Sequence, residues 1–402
     1  MKKTTIGAII WMIVLLGVMV AGKFYYRNLR GSTPAFAPPV GNIVDELSPA
    51  KNSTRIPLSL PQGFSVSIYA KNVNNARVLL FDSEGTLLVS EPSQGKVVAL
   101  IDRDKNGEAE QMTTVIEGLN LPHGITFYNG KLYIAETDKV SAFEYNPSSH
   151  AASNGKKLFD LPGGGNHFSR TIGFGPDKKL YVSIGSTCNV CKEKDARRAS
   201  ILVANPDGSD LKTYAQGLRN AVFFIWNSID SRMWATNMGR DLIGDDIPPD
   251  TINIVTQGKN FGWPYCYGKN VWDKTFDSSQ KASDFCKTVE PSYVDLPAHS
   301  APLGLAFIPK SWGVEYSGDL LVAYHGSWNR SIPTGYKIVR LKLDSKGGYE
   351  STEDFMSGWL TGAKNASGAL GRPVDLRFAT DGALYVSDDK AGVIYKVMPV
   401  KK

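Results

Sequence analysis

A turn-and-strand phrase that recurs six times constrains this chain more than any other feature. Its last copy, Gly371 to Val397 (GRPVDLRFATDGALYVSDDKAGVIYKV), runs from an apolar stretch through a turn at Asp381 and Gly382 into an alternating stretch. A polar turn and a final β-rich stretch follow, the order expected of successive antiparallel strands. Five relatives precede it: DSEGTLLVSE (Asp82 to Glu91), YNGKLYIAET (Tyr128 to Thr137), GPDKKLYVSIG (Gly175 to Gly185), NSIDSRMWATNMG (Asn227 to Gly239) and SGDLLVAYHG (Ser317 to Gly326). Each small sheet can bury its two faces only against neighbours in a ring. The repeat therefore predicts an all-β fold, a six-bladed β-propeller with a central channel.

A length of 402 residues would otherwise suggest two or three domains, and the repeat favours one large ring instead. The net charge of +6 is spread without a Lys/Arg block, so nucleic acid is not implied. A mild positive balance does suit an anionic ligand or cofactor. Four cysteines, Cys188, Cys191, Cys266 and Cys286, follow an export-type N-terminus, which favours two disulfides over a metal site. Pairing 188 with 191 and 266 with 286 closes the shortest loops; a redox motif or half a zinc site at Cys188 and Cys191 is the alternative.

Two lysines open the chain, and Thr4 to Gly22 carries no charge, a length between a signal-peptide core and a spanning helix. Lys23, Phe24, Tyr25 and Tyr26 resemble an interfacial anchor. The preferred reading is an uncleaved signal or membrane anchor over residues 1–30, with the rest exported; cleavage after Ala21 is the alternative. Residues 31–55 are rich in Pro, Ser and Asn and read as a flexible linker, leaving 56–402 for the propeller. FSVSIYA (Phe64 to Ala70) is a strand without a blade of its own. It is predicted to pair with the last blade and close the ring, which removes an exposed edge.

Residues just before the innermost strand of each blade face the channel mouth. Arg77 and His123 hold that place in the first two blades, and surface or packing roles are the ordinary reading of both. In the third blade His167 follows three glycines that let the backbone approach the channel, which makes it a candidate base. Asp102, Asp104 and Asn106 in DRDKNG resemble the start of an EF-hand loop, but Thr113 stands where the bidentate Glu belongs. A polar turn is favoured over a peripheral Ca²⁺ site. Tyr265 to His299 interrupts the rhythm and reads as an excursion pinned by Cys266 and Cys286, either roofing the channel or decorating it. His299 is a further, weaker candidate.

Taken together, LPHGITF, the His167 segment through GPDKKLYVSIGSTCNVC, YAQGLRNAVF, NMGRDLIGDD, NFGWPYCYG, HSAPLGLAF, YHGSWNRSIPTGYKIVRL and GRPVDLRFATDGALYVSDD make the chain resemble the glucose/sorbosone dehydrogenase family from Ile56 to Val397. These are sugar dehydrogenases dependent on pyrroloquinoline quinone (PQQ), and the L-sorbosone branch looks most similar. The resemblance implies that His167 is the general base taking a hydroxyl proton while hydride leaves the same carbon for the quinone. It implies that Arg219 stabilises charge on the reduced quinone, that Asn220 contacts the cofactor, and that Arg372 grips a PQQ carboxylate. The carbonyls of Gly239 and Arg240 would hold Ca²⁺, a hard cation suited to oxygen ligands. A sugar aldehyde, aldose or polyol would be the substrate, and a respiratory quinone or cytochrome the electron acceptor.

Three positions depart from the family pattern. Ser186 replaces the Asp that orients the catalytic His in the glucose enzymes, and Val374 replaces a second Arg of the cofactor clamp. The clamp Lys has no counterpart, with Arg330 preferred over His325 as its substitute because Arg binds carboxylates bidentately. Asp241, Asp245, Asp246 and Asp250 read equally well as a solvated loop. Two rival functions stay open: a Ca²⁺-dependent lactonase-like hydrolase, and a propeller that binds ligand without catalysis.

Overall fold

All six copies of the repeat form the second strand of a four-stranded antiparallel sheet: Leu87–Glu91, Lys131–Ala135, Leu180–Ile184, Met233–Asn237, Leu320–Tyr324 and Leu384–Asp388. The structure is a computed structural model describing residues 11, 15–20, 52–54, 56–362 and 366–400. Several of these strands are buried along their whole length because a neighbouring blade covers each face. Apolar runs such as LLV and LYV therefore replace strict alternation. The tight turns entering them need a positive φ, which Gly85 (+88°) and Gly382 (+86°) supply without a Cβ clash.

The six sheets form a ring. First strands of neighbouring blades touch around the axis, and Leu79, Ile125, Ile172, Phe224, Leu305 and Leu376, one from each blade, line an axial cavity of about 300 Å³. Separate buried clusters fill the spaces between blades. Tyr133, Leu180 and Val182 pack between blades two and three, Tyr181, Phe224 and Met233 between three and four, and Trp312, Leu321, Leu384 and Tyr395 between five and six. Each fully buried Leu contributes about 1.5–3 kcal/mol, so the wedge between blades, not any single sheet, holds the ring together.

Closure follows the sequence reading. Phe64–Lys71 pairs antiparallel with Val393–Pro399 as the outer strand of blade six, and Val400 N donates to Gly63 O at 2.7 Å. Asn52 and Thr54, within the predicted linker, already pack on the ring: Asn52 Nδ2 donates to Ile56 O and Leu58 O at 2.9 and 2.8 Å. The predicted anchor over 1–30 falls largely outside the described residues. Among the described residues no helix is long and apolar enough to cross a membrane.

The excursion after Pro264 contains a two-stranded hairpin, Cys266–Tyr267 with Val271–Trp272, and a short helix, Gln280–Cys286. One expectation needs correction here. The stretch assigned wholly to an insertion also supplies Val294–Leu296, the outer strand of blade four, paired with Asp250–Val255. Both short-loop disulfides form, Cys188 with Cys191 and Cys266 with Cys286. The DRDKNG stretch is a polar turn in which Asp102 and Asp104 accept from the amides of Gly107 and Asn106.

Candidate active site

The loop entering blade three is shaped by buried guanidinium groups. Arg170, fully buried, donates to the carbonyls of Pro162, His167 and Ser169, each at 2.9 Å. Arg198 Nη2 gathers Gly163 O and Gly164 O at 2.6 and 2.8 Å. Glycine-rich backbone outside a sheet needs donors from elsewhere, and here two arginines provide them.

His167 is carried at the end of that loop. Its Nδ1 lies 2.8 Å from Ser186 O and 3.1 Å from Ser186 Oγ, and Oγ donates its own proton to Cys188 O at 2.7 Å. A carbonyl can only accept, so Nδ1 carries the proton and Nε2 keeps the lone pair. Burial, then the charges of Arg219, Arg170 and Arg198, push the imidazole down to about 3. The ring is neutral at physiological pH. Ser186 thus sets the tautomer as an Asp would, through its main-chain oxygen, but without the charge that would stabilise imidazolium.

Arg219 enters from blade four, 5 % exposed. Nε donates to Asn189 O at 2.8 Å, Nη1 to Gly239 O at 2.8 Å, and Nη2 to both Asn189 Oδ1 and Asp241 Oδ2 at 3.0 and 2.9 Å. Four of its five N–H groups are engaged, leaving one on Nη1. Asn220 follows, its amide held by Asn237 Oδ1 at 3.0 Å. A Cβ on Gly185 would meet Asn220 Oδ1 at 2.4 Å and His167 Cβ at 2.6 Å, so these two side chains converge on the same bare glycine.

Blades five, six and one complete the circle. Arg372 donates Nε to His325 O at 3.0 Å and Nη2 to Gly326 O, with its guanidinium 5.5 Å from the centre of the Tyr336 ring. Asp389 accepts from Arg77 Nη1 at 2.8 Å and from His325 Nε2 at 2.9 Å. Burial and the Arg372 charge push His325 down to about 4. Burial alone would raise Asp389, but His325 and the Arg77 and Arg372 guanidiniums outweigh it and hold the carboxyl well below its usual range. With Arg77 bonded directly to it, Asp389 is the ionised member and His325 a neutral donor. His123 is wholly buried against Phe223, and burial drives it well below the ordinary histidine range.

Other expected contacts land elsewhere. Arg330 points away from a cofactor role: it donates Nη2 to Asp246 Oδ1 at 2.7 Å and Nη1 to Asp245 O. The neighbouring Asn329 reaches inward, to Asp241 Oδ1 at 2.9 Å. Arg240 Nη1 turns to Asp273 Oδ2 at 2.6 Å, tying the disulfide-pinned excursion to the mouth. His299 Nε2 meets Gly244 O at 2.7 Å, and Asp250 accepts from Gly239 N and Ala301 N. Asp241 and Asp250 are thus braced within the site, whereas Asp246 is largely exposed. Asn189 and Asp389 were not assigned a site role from sequence, and Asp241 was read only as one of four acidic residues, because their roles exist only once distant loops meet.

Buried donors without partners indicate what the site accepts. Arg77 Nε is buried with no hydrogen-bond partner, and Arg219 keeps a free N–H. Cationic donors around one channel mouth fit a planar, oxygen-rich anion, a description PQQ meets with its carboxylates and quinone oxygens. The Gly239 carbonyl already accepts from Arg219 on one of its two lone pairs, so a cation there would use the other.

Fold and side chains together define a six-bladed propeller with a basic, histidine-bearing site at one mouth of its channel. The chain belongs to the TrAA12-like family, whose model matches residues 58–399. It is 34% identical over 371 residues to an uncharacterised protein of Borreliella burgdorferi, covering 88% of this chain and 94% of that one. It is 26% identical to a pyrroloquinoline quinone-dependent pyranose dehydrogenase of Coprinopsis cinerea over 86% of this chain, and spans 55% of that protein's length. The holo PQQ domain of a Coprinopsis cinerea pyranose dehydrogenase superposes with a TM-score of 0.74 at 23% identity, covering 86% of this chain and 97% of the domain.

Proposed function

We propose that this enzyme, a quinoprotein sugar oxidoreductase, oxidises the hydroxyl of an aldose, a hydrated sorbosone-like sugar aldehyde or a related polyol. The observation that carries this reading is the pairing of a neutral His167, its Nε2 unprotonated, with a buried Arg219 that has one N–H to spare. PQQ, when bound, supplies the two-electron acceptor for the hydride. His167 Nε2 takes the proton of the hydroxyl borne by the carbon that is oxidised, and Ser186 O holds the ring in the required tautomer. Arg219 presents its remaining Nη1–H to oxygen on which negative charge grows, at no reorganisation cost because its other donors are anchored. Arg372 and Arg77 hold the anion in place, and Asn220 lies beside His167 to orient it.

Ca²⁺ on the carbonyls of Gly239 and Arg240 is the second part of the proposal. It would share the Gly239 carbonyl with Arg219, each using one lone pair. Two disulfides support an oxidising compartment, in keeping with an exported protein tethered by its N-terminal segment and passing electrons to a respiratory quinone or cytochrome.

The test is reconstitution of apo-protein with PQQ, with and without Ca²⁺, followed by dye reduction across a panel of sugars and polyols. Dye reduction that needs PQQ is expected, and faster reduction with Ca²⁺ would support the metal. Absence of both PQQ binding and reduction rejects the reading, and lactone hydrolysis without PQQ would replace it with the hydrolase.

A further inference from the structure

Two of the four acceptors that fix Arg219 belong to Asn189, on a four-residue turn that no catalytic role has absorbed. Asn189 sits between Cys188 and Cys191, whose disulfide closes the turn with Cα atoms 6.2 Å apart. Glu193 reinforces it, accepting from Thr187 N and Thr187 Oγ1 at 2.6 and 2.7 Å. Asn189 then makes a two-point match to Asp241: Oδ1 accepts from Asp241 N at 2.7 Å and Nδ2 donates to Asp241 O at 2.9 Å. The same residue offers both its oxygens to Arg219.

We propose that Asn189 is a positioning residue for Arg219: its two oxygens, presented by the disulfide-closed turn, hold the guanidinium so that a single Nη1–H is left for a ligand. This rests on the catalytic reading of Arg219. An arginine side chain otherwise retains considerable rotamer freedom. Without Asn189, Asp241 and the Gly239 carbonyl hold one N–H each on Nη2 and Nη1, while Nε and the second Nη2–H lose their acceptors. Asn189 also holds the main chain of Asp241, so one amide fixes the guanidinium and its counter-charge together.

The variant Asn189→Ala removes the side-chain acceptor, and Asn189→Asp restores an acceptor at the same place. In the apo-protein, phenylglyoxal labelling of arginines, read by peptide mass spectrometry, should accelerate at Arg219 in Asn189→Ala while Arg170 and Arg198 label at the wild-type rate. Asn189→Asp should return Arg219 towards that rate. In PQQ-loaded enzyme, kcat should fall about tenfold to hundredfold in Asn189→Ala with KM for the sugar little changed. Equal acceleration at all three arginines would mean general loosening and would overturn the proposal, as would unchanged labelling at Arg219. Should Asn189→Ala not fold, the Cys188→Ser/Cys191→Ser double variant opens the turn while keeping Asn189, and its labelling ratio is judged in the same way. Wild-type protein inert with PQQ would sink the functional reading, whereas the labelling ratio in apo-protein would still decide the role of Asn189.

Discussion

His167 is oriented by a main-chain oxygen, and that has a measurable consequence. The Nδ1 contact to Ser186 O is shorter than that to Ser186 Oγ, 2.8 against 3.1 Å. Ser186→Ala keeps the shorter contact. It should therefore lower kcat by less than about tenfold, while His167→Ala, which removes the base itself, should cost about 10²–10⁴. Steady-state kinetics of both reconstituted variants checks this; equal losses would place the orienting role on the hydroxyl. At this scale the sequence exposed residue types at the heads of blades but not their partners. His167, Arg219 and Asn220 adjoin one another around Gly185 and Ser186, Arg372 is held on the carbonyls of His325 and Gly326, and Arg330 is engaged by Asp245 and Asp246. Asp389 escaped notice because a carboxylate after VSD reads as an ordinary turn until Arg77 and His325 are seen beside it.

The second strands of the blades were legible as elements because burial on both faces imposes apolar runs and the turns before them need a positive φ, met by Gly in four blades and by Lys178 and Ser231 in the other two. The excursion was less so. Val294–Leu296 is three residues long and follows a short helix, so no periodicity marks it as a blade strand. The Cys266–Cys286 bridge spans 20 residues, and closing a loop of that size is worth roughly 3 kcal/mol on the chain-entropy estimate. Cys266→Ser/Cys286→Ser should loosen this element locally. Limited proteolysis should then cut within residues 268–290 well before the ring, with the main thermal transition shifted little. Loss of the main transition would instead make the bridge a support of the whole propeller.

At the scale of the molecule, closure was readable because Phe64–Lys71 is a strand without a sheet, and a ring is the arrangement that gives it one. Val66 is 2 % exposed and paired with Val397. Val66→Pro removes an N–H and fixes φ within this joint, so about 3 kcal/mol or more of stability should be lost. Chemical denaturation would report it as a lowered midpoint, and an unaltered midpoint would show that the inter-blade wedges carry closure without that strand. The Gly63 and Val400 contact carries a further implication for how the protein is made. On the ribosome Phe64–Lys71 stays without its strand partner until Val393–Pro399 has emerged, so the circle can shut only after the five intervening blades have been made.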